Sequence, residues 1–287
     1  MARRALLLLN RNARRGGEAS PTDELKNAGI DVVEDTSASP GSLTDIILRH
    51  KDQVDLVIVG GGDGSLNAAA AGLVETKLPL GIIPMGTAND LARTLEVPVE
   101  LADACSIIAA GKTRKIDLGQ ANEKFYFNVA SIGLSVEIAK SLDKETKRFW
   151  GSLAYAKTAF SVAMTAHPFS AQIRSAEGVT KVRTLQIAVG NGRFYGGGMS
   201  VAADAAIDDQ RLDLYSLECR RWWRLLWLAP ALWLGHHHLS SDVRTMSGRE
   251  FEITTHHPLP VNADGEIVTH TPVTFRVLPA AITVFVP

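Results

Sequence analysis

Leu56-Val57-Ile58-Val59-Gly60-Gly61-Gly62-Asp63-Gly64-Ser65-Leu66-Asn67 is an apolar run that stops at glycines and restarts as a helix. The β-branched start reads as a buried strand. Ser65 reads as the cap of a helix over Ser65–Leu73 that runs through the alanines Ala68 to Ala71. Strand, glycine turn and helix N-terminus together form an anion site. The missing side chains let an anion reach backbone N–H groups, and the helix end is partly positive. Asp63 would repel that anion unless a cation or a hydroxyl proton lies between them. The plain alternative is a tight turn with Asp63 as an ordinary cap. No Gly-Lys-Ser/Thr follows, so this is not a Walker A loop. Ser65 stands where a dinucleotide fingerprint has its third glycine.

Outward from this stretch, residues 1 to about 115 alternate short apolar runs with helical patterns, the mark of an α/β layer fold. Strands are expected over Ala5–Leu9, Ile30–Glu34, Asp55–Val59 and Leu80–Ile83. Helices fit Thr22–Ala28, Leu43–His50, Ser65–Leu73, Ala88–Leu95 and Val99–Ala110. After the first strand, Asn10 to Gly17 form a polar, basic loop at the strand edge where α/β sheets place ligands. Its arginines suit phosphate and a solvated turn equally. Thr36 and Ser37 follow the second strand on the same edge. After the fourth strand comes Pro84-Met85-Gly86-Thr87-Ala88-Asn89-Asp90-Leu91-Ala92-Arg93. Here Thr87 reads as a helix cap, with Asn89 and Asp90 in the first turn. Asp90 there also suits the helix dipole. Two glycine turns, each with a hydroxyl and an Asp, leave the same edge of neighbouring strands and would line one cleft.

From Arg114 the pattern changes. Lys115–Gly119 and Phe125–Ala130 look like a hairpin around Ala121–Glu123, followed by helical stretches from Leu134 and from Trp150 to Ala166. Ala171–Arg174, Arg183–Gly190, Arg211–Leu217, Glu250–Thr255, Thr271–Val277 and Ala281–Phe285 alternate as half-exposed strands. The fold class is therefore α/β followed by β, with an α/β domain over 1–120 and a mostly antiparallel domain over 121–287. Three places in the second half carry candidate chemistry. Gly190–Met199 is glycine-dense and fits either close backbone approach or a wide strand connection. Asp208, Asp209 and Asp213 crowd a turn where Asp209 and nearby carbonyls would suit Mg²⁺, or simply a solvated acidic turn. Asp264-Gly265-Glu266 places two carboxylates at a hairpin tip.

With 287 residues, 46% hydrophobic and 21% charged, the chain is long enough for two globular domains. Its net charge of −1 gives no general pull toward nucleic acid. Cys105 and Cys219 show neither metal spacing nor a disulfide framework. The apolar run Ala5–Leu9 is too short for the core of a signal peptide and reads as the first strand. Trp222–Gly235, the most apolar segment, is interrupted by Arg224 and Pro230 and does not reach a membrane span. The cytoplasm is the expected location. Arg220 to Trp227 interleaves arginines with tryptophans, which suits a membrane interface or a core-packed helix with snorkelling arginines. His236 to His238 are consecutive and so cannot share one helix face.

Gly61-Gly62-Asp63-Gly64-Ser65 together with Pro84-Met85-Gly86-Thr87-Ala88-Asn89-Asp90 resembles the diacylglycerol-kinase catalytic-domain family, which includes bacterial lipid kinases and sphingosine and ceramide kinases. Asn10 to Gly16, Asp117, Asn191, Asp209 and Asp264-Gly265-Glu266 fall in family order, so the resemblance covers nearly the whole chain. It implies a Rossmann-like nucleotide-binding domain, a C-terminal β-sandwich domain and an active site in the cleft between them. It implies that ATP contacts Asn10, Thr36, Gly61, Gly62, Asp63, Gly64, Ser65, Leu66, Asn67, Gly86 and Thr87. It assigns Mg²⁺ to Asp63 and Asp90, with Asp117 as a further candidate, and proton abstraction to Asp264 or Glu266. A second, structural Mg²⁺ is implied at Asp209 with the carbonyls of Ala206 and Arg211. Arg11 departs from the usual proline. Ser65 replaces threonine but keeps a hydroxyl. Gln210 stands where glycine is usual, which strains the Asp209 turn if positive φ is needed there.

These residues imply phosphoryl transfer from ATP to a lipid hydroxyl, by a protein in the cytoplasm with peripheral contact at the inner membrane face and no nucleic-acid partner. The acceptor (diacylglycerol, phosphatidylglycerol, a sphingoid base or another lipid alcohol) and the oligomeric state, homodimer included, are not readable from the sequence. The competing readings are a kinase of the NAD-kinase type with a soluble acceptor, and a silent nucleotide-binding regulator.

Overall fold

The computed structural model describes residues 3–10, 20–35, 43–141, 164, 166–192, 194–195, 199–200, 206–219 and 242–287. Arg11 to Gly17, Thr36, Ser37, most of Trp150–Ala166, Gly196–Gly198, Ala205 and Arg220–His238 lie outside the described residues.

The first half folds as alternating strands and helices: β1 (Arg3–Leu9), α1 (Pro21–Asn27), β2 (Ile30–Glu34), α2 (Leu43–His50), β3 (Leu56–Gly61), α3 (Asp63–Thr76), β4 (Leu80–Pro84), α4 (Asp90–Thr94) and α5 (Leu101–Ala110). β3 and β4 are buried along their whole length, which is why they read as continuous apolar runs rather than alternating ones. α3 turns Leu66, Ala69, Ala70 and Leu73 inward, one face of a 3.6-residue repeat. At Gly72 a side chain would stand 3.0 Å from Ile47, so that glycine lets α2 and α3 pack closely.

The second half contributes β5 (Thr113–Ala121), β6 (Lys124–Tyr126), β7 (Val129–Gly133), α6 (Leu134–Ser141), β8 (Phe169–Ser175), β9 (Gly178–Thr184) and β10 (Gln186–Gly190). After them come β11 (Phe194–Tyr195), β12 (Met199–Ser200), β13 (Leu212–Leu217), β14 (Val243–Gly248), β15 (Glu250–Thr255), β16 (Pro260–Ala263), β17 (Glu266–His270) and β18 (Val273–Phe285). A ten-stranded sheet runs β2-β1-β3-β4-β18-β15-β8-β9, with β5 and β6 attached through β18. A six-stranded antiparallel sheet runs β14-β13-β10-β7-β16-β17. Tyr126, Ile173, Phe251 and Phe275 of the first sheet and Ile132, Ile187, Leu214 and Val261 of the second share one apolar core. The second half is thus a sandwich, and the fold class is the expected one.

Three departures from the sequence reading change how the strands are assigned to sheets, each for a tertiary reason. Phe125–Ala130 is not one strand: the chain leaves the first sheet after Tyr126 and enters the second at Val129. Arg183–Gly190 likewise splits at Leu185 into β9 and β10, which belong to different sheets. Thr271–Val277 and Ala281–Phe285 instead join as one strand, β18, with a register shift between Leu278 and Ile282. Its later part pairs with β4 in parallel and its earlier part pairs with β15, so one strand carries the sheet from one half into the other. Leu118, Phe127, Ile207 and Ile282 lie in the same apolar core as Leu66 and Leu73 of α3. The two halves are packed together rather than tethered.

Candidate functional site

The strand order β2-β1-β3-β4 reverses direction between β1 and β3, and in such sheets ligands bind at that point, outside the carboxyl ends of the strands. The register pairs Leu9 with Gly60, and the Asn10 N–H donates to Gly60 O at 2.9 Å. Asn10 Nδ2 also donates to Ser65 Oγ at 3.2 Å. The crevice is therefore bounded by Asn10 on one side and the glycine turn on the other.

Ser65 is not the cap that its residue type suggested. Gly62 caps α3 through an extended backbone, and the helix begins at Asp63. The Ser65 and Leu66 N–H groups both donate to Gly62 O, at 2.9 and 3.2 Å. Among the described residues nothing accepts from the Asp63 or Gly64 N–H, the donors a helix start leaves free. A side chain at Gly61 would stand 2.5 Å from Ser65 Oγ. Leu66 sits in the core, so any ligand contact there falls to its backbone. Asn67 Oδ1 is buried and has no hydrogen-bond partner among the described residues.

The second glycine turn lies directly against the first. Thr87 is exposed and does not cap α4; Asn89 does, with a left-handed backbone at φ 50°. The Asn89 side chain bridges back to Gly86, accepting from its N–H and donating to its carbonyl, both at 2.9 Å. A methyl group at Gly86 would stand 2.5 Å from Gly62 Cα and 2.8 Å from Asn89 Oδ1. Gly86→Ala should therefore force the two turns apart. The expected result is a stability loss of about 1–3 kcal/mol, read by urea unfolding, together with weakened nucleotide binding.

Asp63 joins the two turns. Its two carboxylate oxygens accept the N–H groups of Asp90 and Leu91, each at 3.1 Å, at the start of α4. Asp63 is a cap, but of the neighbouring helix rather than its own. Asp90 is buried beside it.

The second half supplies the opposite wall through the β16–β17 hairpin. Glu266 Oε1 lies 3.7 Å from the place a Gly64 side chain would occupy, over the first turn of α3. Asp264, two residues away, turns its carboxylate onto the N–H groups of Phe127, Asn128 and Val129 at 2.7–3.1 Å. Burial pushes its carboxyl up to about 7, with the Asp63 charge adding to the rise and the three N–H groups opposing it. Asp63, Asp264 and Glu266 thus come together from distant parts of the chain.

Asp117 makes contacts of its own. Its carboxylate accepts the N–H groups of Gln210 at 2.6 Å and Ala280 at 2.7 Å, tying β5 to the acidic turn and to the bend in β18. In the Asp209 turn, the backbone N–H groups of Arg211 (at 3.2 Å) and Ala206 face the Asp209 carboxylate, and Arg211 Nε stands 3.0 Å from it. Asp209 Oδ2 is nonetheless buried without a hydrogen-bond partner among the described residues. Gln210 does adopt positive φ, at 62°. Gln210→Gly should remove that strain and raise stability by about 1 kcal/mol, read as a higher unfolding midpoint.

Sequence reasoning placed Asn191 in family order but gave it no role. Its Nδ2 donates to the carbonyls of Asp117 at 3.1 Å and Phe127 at 2.9 Å. Its place in a glycine-dense loop hinted at backbone geometry, not at this bridge. Among the described residues, no helix is long and apolar enough to cross a membrane.

Comparison with known proteins shows the family and the fold. Residues 4–121 match the family model described as diacylglycerol kinase catalytic domain, and residues 128–286 match that of the YegS C-terminal NAD kinase beta sandwich-like domain. The chain is 31% identical to a protein of Klebsiella pneumoniae (strain 342) named "Probable lipid kinase YegS-like", over 99% of this chain and 96% of that one. It is 27% identical to a diacylglycerol kinase of Staphylococcus epidermidis (strain RP62A), over 83% of this chain and 76% of the relative. A crystal structure of a diacylglycerol kinase from Bacillus anthracis strain Sterne superposes with a TM-score of 0.82 at 26% identity, covering 99% and 97% of the two chains.

Proposed function

We propose, from the premise that this chain belongs to the family joining a diacylglycerol kinase catalytic domain to a YegS-type C-terminal domain, that it transfers the γ-phosphate of ATP to the hydroxyl of an amphiphilic lipid. The observation that carries the reading is Glu266 standing over the free N–H groups of the α3 N-terminus, with Asp63 beside them. Phosphoryl transfer needs positioned phosphates, neutralised charge and a base for the attacking hydroxyl, and little else from a protein.

Each requirement has a candidate. The N–H groups of Asp63 and Gly64 and the helix end would hold nucleotide phosphate, with Asn10, Gly61, Gly62, Ser65, Asn67, Gly86 and Thr87 around it. Thr36 stays in this set as an expectation from the resemblance. A divalent cation beside Asp63 would offset the repulsion between the Asp63 and Asp264 carboxylates. Among the described residues no group of three acidic, His or Cys side chains is placed to hold a metal ion by itself. Asp63 and Asp90 would therefore hold Mg²⁺ together with phosphate oxygens and water, the usual environment of this ion. When bound it supplies charge neutralisation at the phosphates. Asp117 as a further Mg²⁺ ligand, and a second Mg²⁺ at Asp209 with the carbonyls of Ala206 and Arg211, stay as expectations from the resemblance.

The lipid hydroxyl oxygen attacks the γ-phosphorus, the bond to the bridging oxygen of ADP breaks, and the hydroxyl proton passes to Glu266 as the new bond forms. The acceptor class extends over diacylglycerol-like, phosphatidylglycerol and sphingoid alcohols, met by a cytoplasmic protein at a membrane surface. Purified protein incubated with γ-labelled ATP, Mg²⁺ and a panel of lipids in micelles should yield one labelled lipid, lost in Glu266→Gln. Transfer to a soluble acceptor without micelles, or ATP binding without transfer, would overturn the reading.

A further inference from the structure

We infer that Asp264 is a positioning residue: it fastens the tip of the β16–β17 hairpin to the turn between β6 and β7 and so holds Glu266 over the first turn of α3. The role given to Glu266 rests on the reading above; the fastening itself does not.

Both oxygens of the Asp264 carboxylate are engaged. Oδ2 accepts from the Phe127 N–H at 2.7 Å, and Oδ1 from Asn128 at 3.1 Å and Val129 at 3.0 Å. The Asp264 backbone N–H returns the contact, donating to Val129 O at 3.0 Å. Asp264 and Gly265 turn the chain sharply with φ of 46° and 96°, and Asn262 Oδ1 accepts the Gly265 N–H at 3.0 Å. The hairpin tip is therefore fixed from within and from outside, and Glu266 is the next residue along.

The anchor point is itself held. Asn191 grips the Phe127 carbonyl through its side chain, and the N–H groups of Asn191 and Gly192 donate to Asn128 O at 2.8 and 3.1 Å. The Phe127 ring lies in the apolar core that also contains Leu66 of α3. This closes a ring: α3 packs with Phe127, Phe127 holds Asp264, Asp264 sets Glu266, and Glu266 returns to α3 at Gly64. The ring explains how a base on one half of the chain keeps register with phosphate donors on the other.

The competing assignment is Asp264 as the base. A carboxyl pushed up to about 7 has a suitable proton affinity. Geometry argues against it: both carboxylate oxygens already accept N–H groups, three in all, which compete with a hydroxyl for the same lone pairs.

The test is a double-mutant cycle of Asp264→Asn and Glu266→Gln, read in kcat, in the KM for ATP and in hydrogen exchange. Each single variant should lower kcat by about 10²-fold or more with ATP KM changed by no more than about threefold. The double variant should be no slower than Glu266→Gln by more than about threefold, because a positioner has nothing left to act through. In Asp264→Asn alone, the amides of Phe127 to Val129 and of Gly265 and Glu266 should exchange faster; in Glu266→Gln they should not. Glu266→Gln keeping most of its turnover while Asp264→Asn loses it would make Asp264 the group that meets the acceptor. Multiplied losses in the double variant, or unchanged exchange in Asp264→Asn, would also overturn the inference. If wild-type protein phosphorylates no lipid, the kinase reading fails by itself, and the exchange measurement still decides whether Asp264 fastens the hairpin. If Asp264→Asn does not fold, Asn262→Ala supplies the same measurements, with faster exchange at Gly265 and Glu266 expected and unchanged exchange and kcat excluding the mechanism.

Discussion

Replacing Asp264 by alanine lowers the unfolding free energy by about 3 kcal/mol or more, the largest stability effect expected of any single substitution at the site. The variant leaves the N–H groups of Phe127, Asn128 and Val129 without an acceptor, and all three residues are buried. An orphaned buried donor costs about 1–3 kcal/mol, and no water replaces a carboxylate that spans three of them without a cavity of suitable shape. The deficit also depends on pH. The folded carboxyl is pushed up to about 7, above the roughly 3.9 of an unfolded Asp, so the native state binds the extra proton between those values. Wild-type stability at this group is therefore fully present below about pH 4 and falls as pH rises toward 7. The gap between wild type and Asp264→Ala should accordingly be wider at pH 5 than at pH 8 in metal-free buffer. Urea titrations at the two pH values check both statements, and an equal or reversed gap would show that the carboxylate is not held as described.

Asp63→Asn abolishes transfer while leaving the protein folded, the largest effect on activity expected here. In the proposed mechanism the side chain would lose its charge, and with it the ability to share a divalent cation with the phosphates. Its amide oxygen can still accept one of the two α4 N–H groups now held at 3.1 Å, so the structural cost stays near 1 kcal/mol. Loss of one preorganised electrostatic partner costs about 10²–10³ in kcat, and removal of the cation adds to it. Labelled-phosphate transfer and thermal unfolding of the same preparation separate the two effects. Turnover within tenfold of wild type would remove Asp63 from the chemistry and leave it only as the clasp between two loops.

Much of the site was legible because its signals are local. Gly60 to Gly62 and Gly86 announce close backbone approach, and Gly62 and Gly86 do approach to where a methyl group would not fit. The apolar runs that became β1, β3 and β4 are largely buried, and a run of that kind needs no partner to be recognised. The errors share one cause. Ser65 and Thr87 have the composition of caps, yet Gly62 and Asn89 cap the helices, because a cap is chosen by backbone conformation at the turn and not by residue type alone. Phe125–Ala130 and Arg183–Gly190 alternate like single strands, but the alternation continues across a change of sheet, which no period of two can reveal.

The sequence by itself determined the α/β layer of the first half, the two glycine turns at one sheet edge and the acids available to them. Those features follow from side-chain size, β-branching and the missing Cβ of glycine, all properties of a few neighbouring residues. Only the tertiary structure decided what each acid does. Asp63 meets Asp90, 27 residues on, and Asp264 meets Phe127, 137 residues back. Asp117 turned out to be bound to Gln210 and Ala280, and Asp209 to Arg211. A carboxylate on its own is equally a cap, an anchor, a metal ligand or a base. Its role is set by which donors and charges the fold brings within 3 Å or so, and that depends on the pairing of strands far apart in the chain.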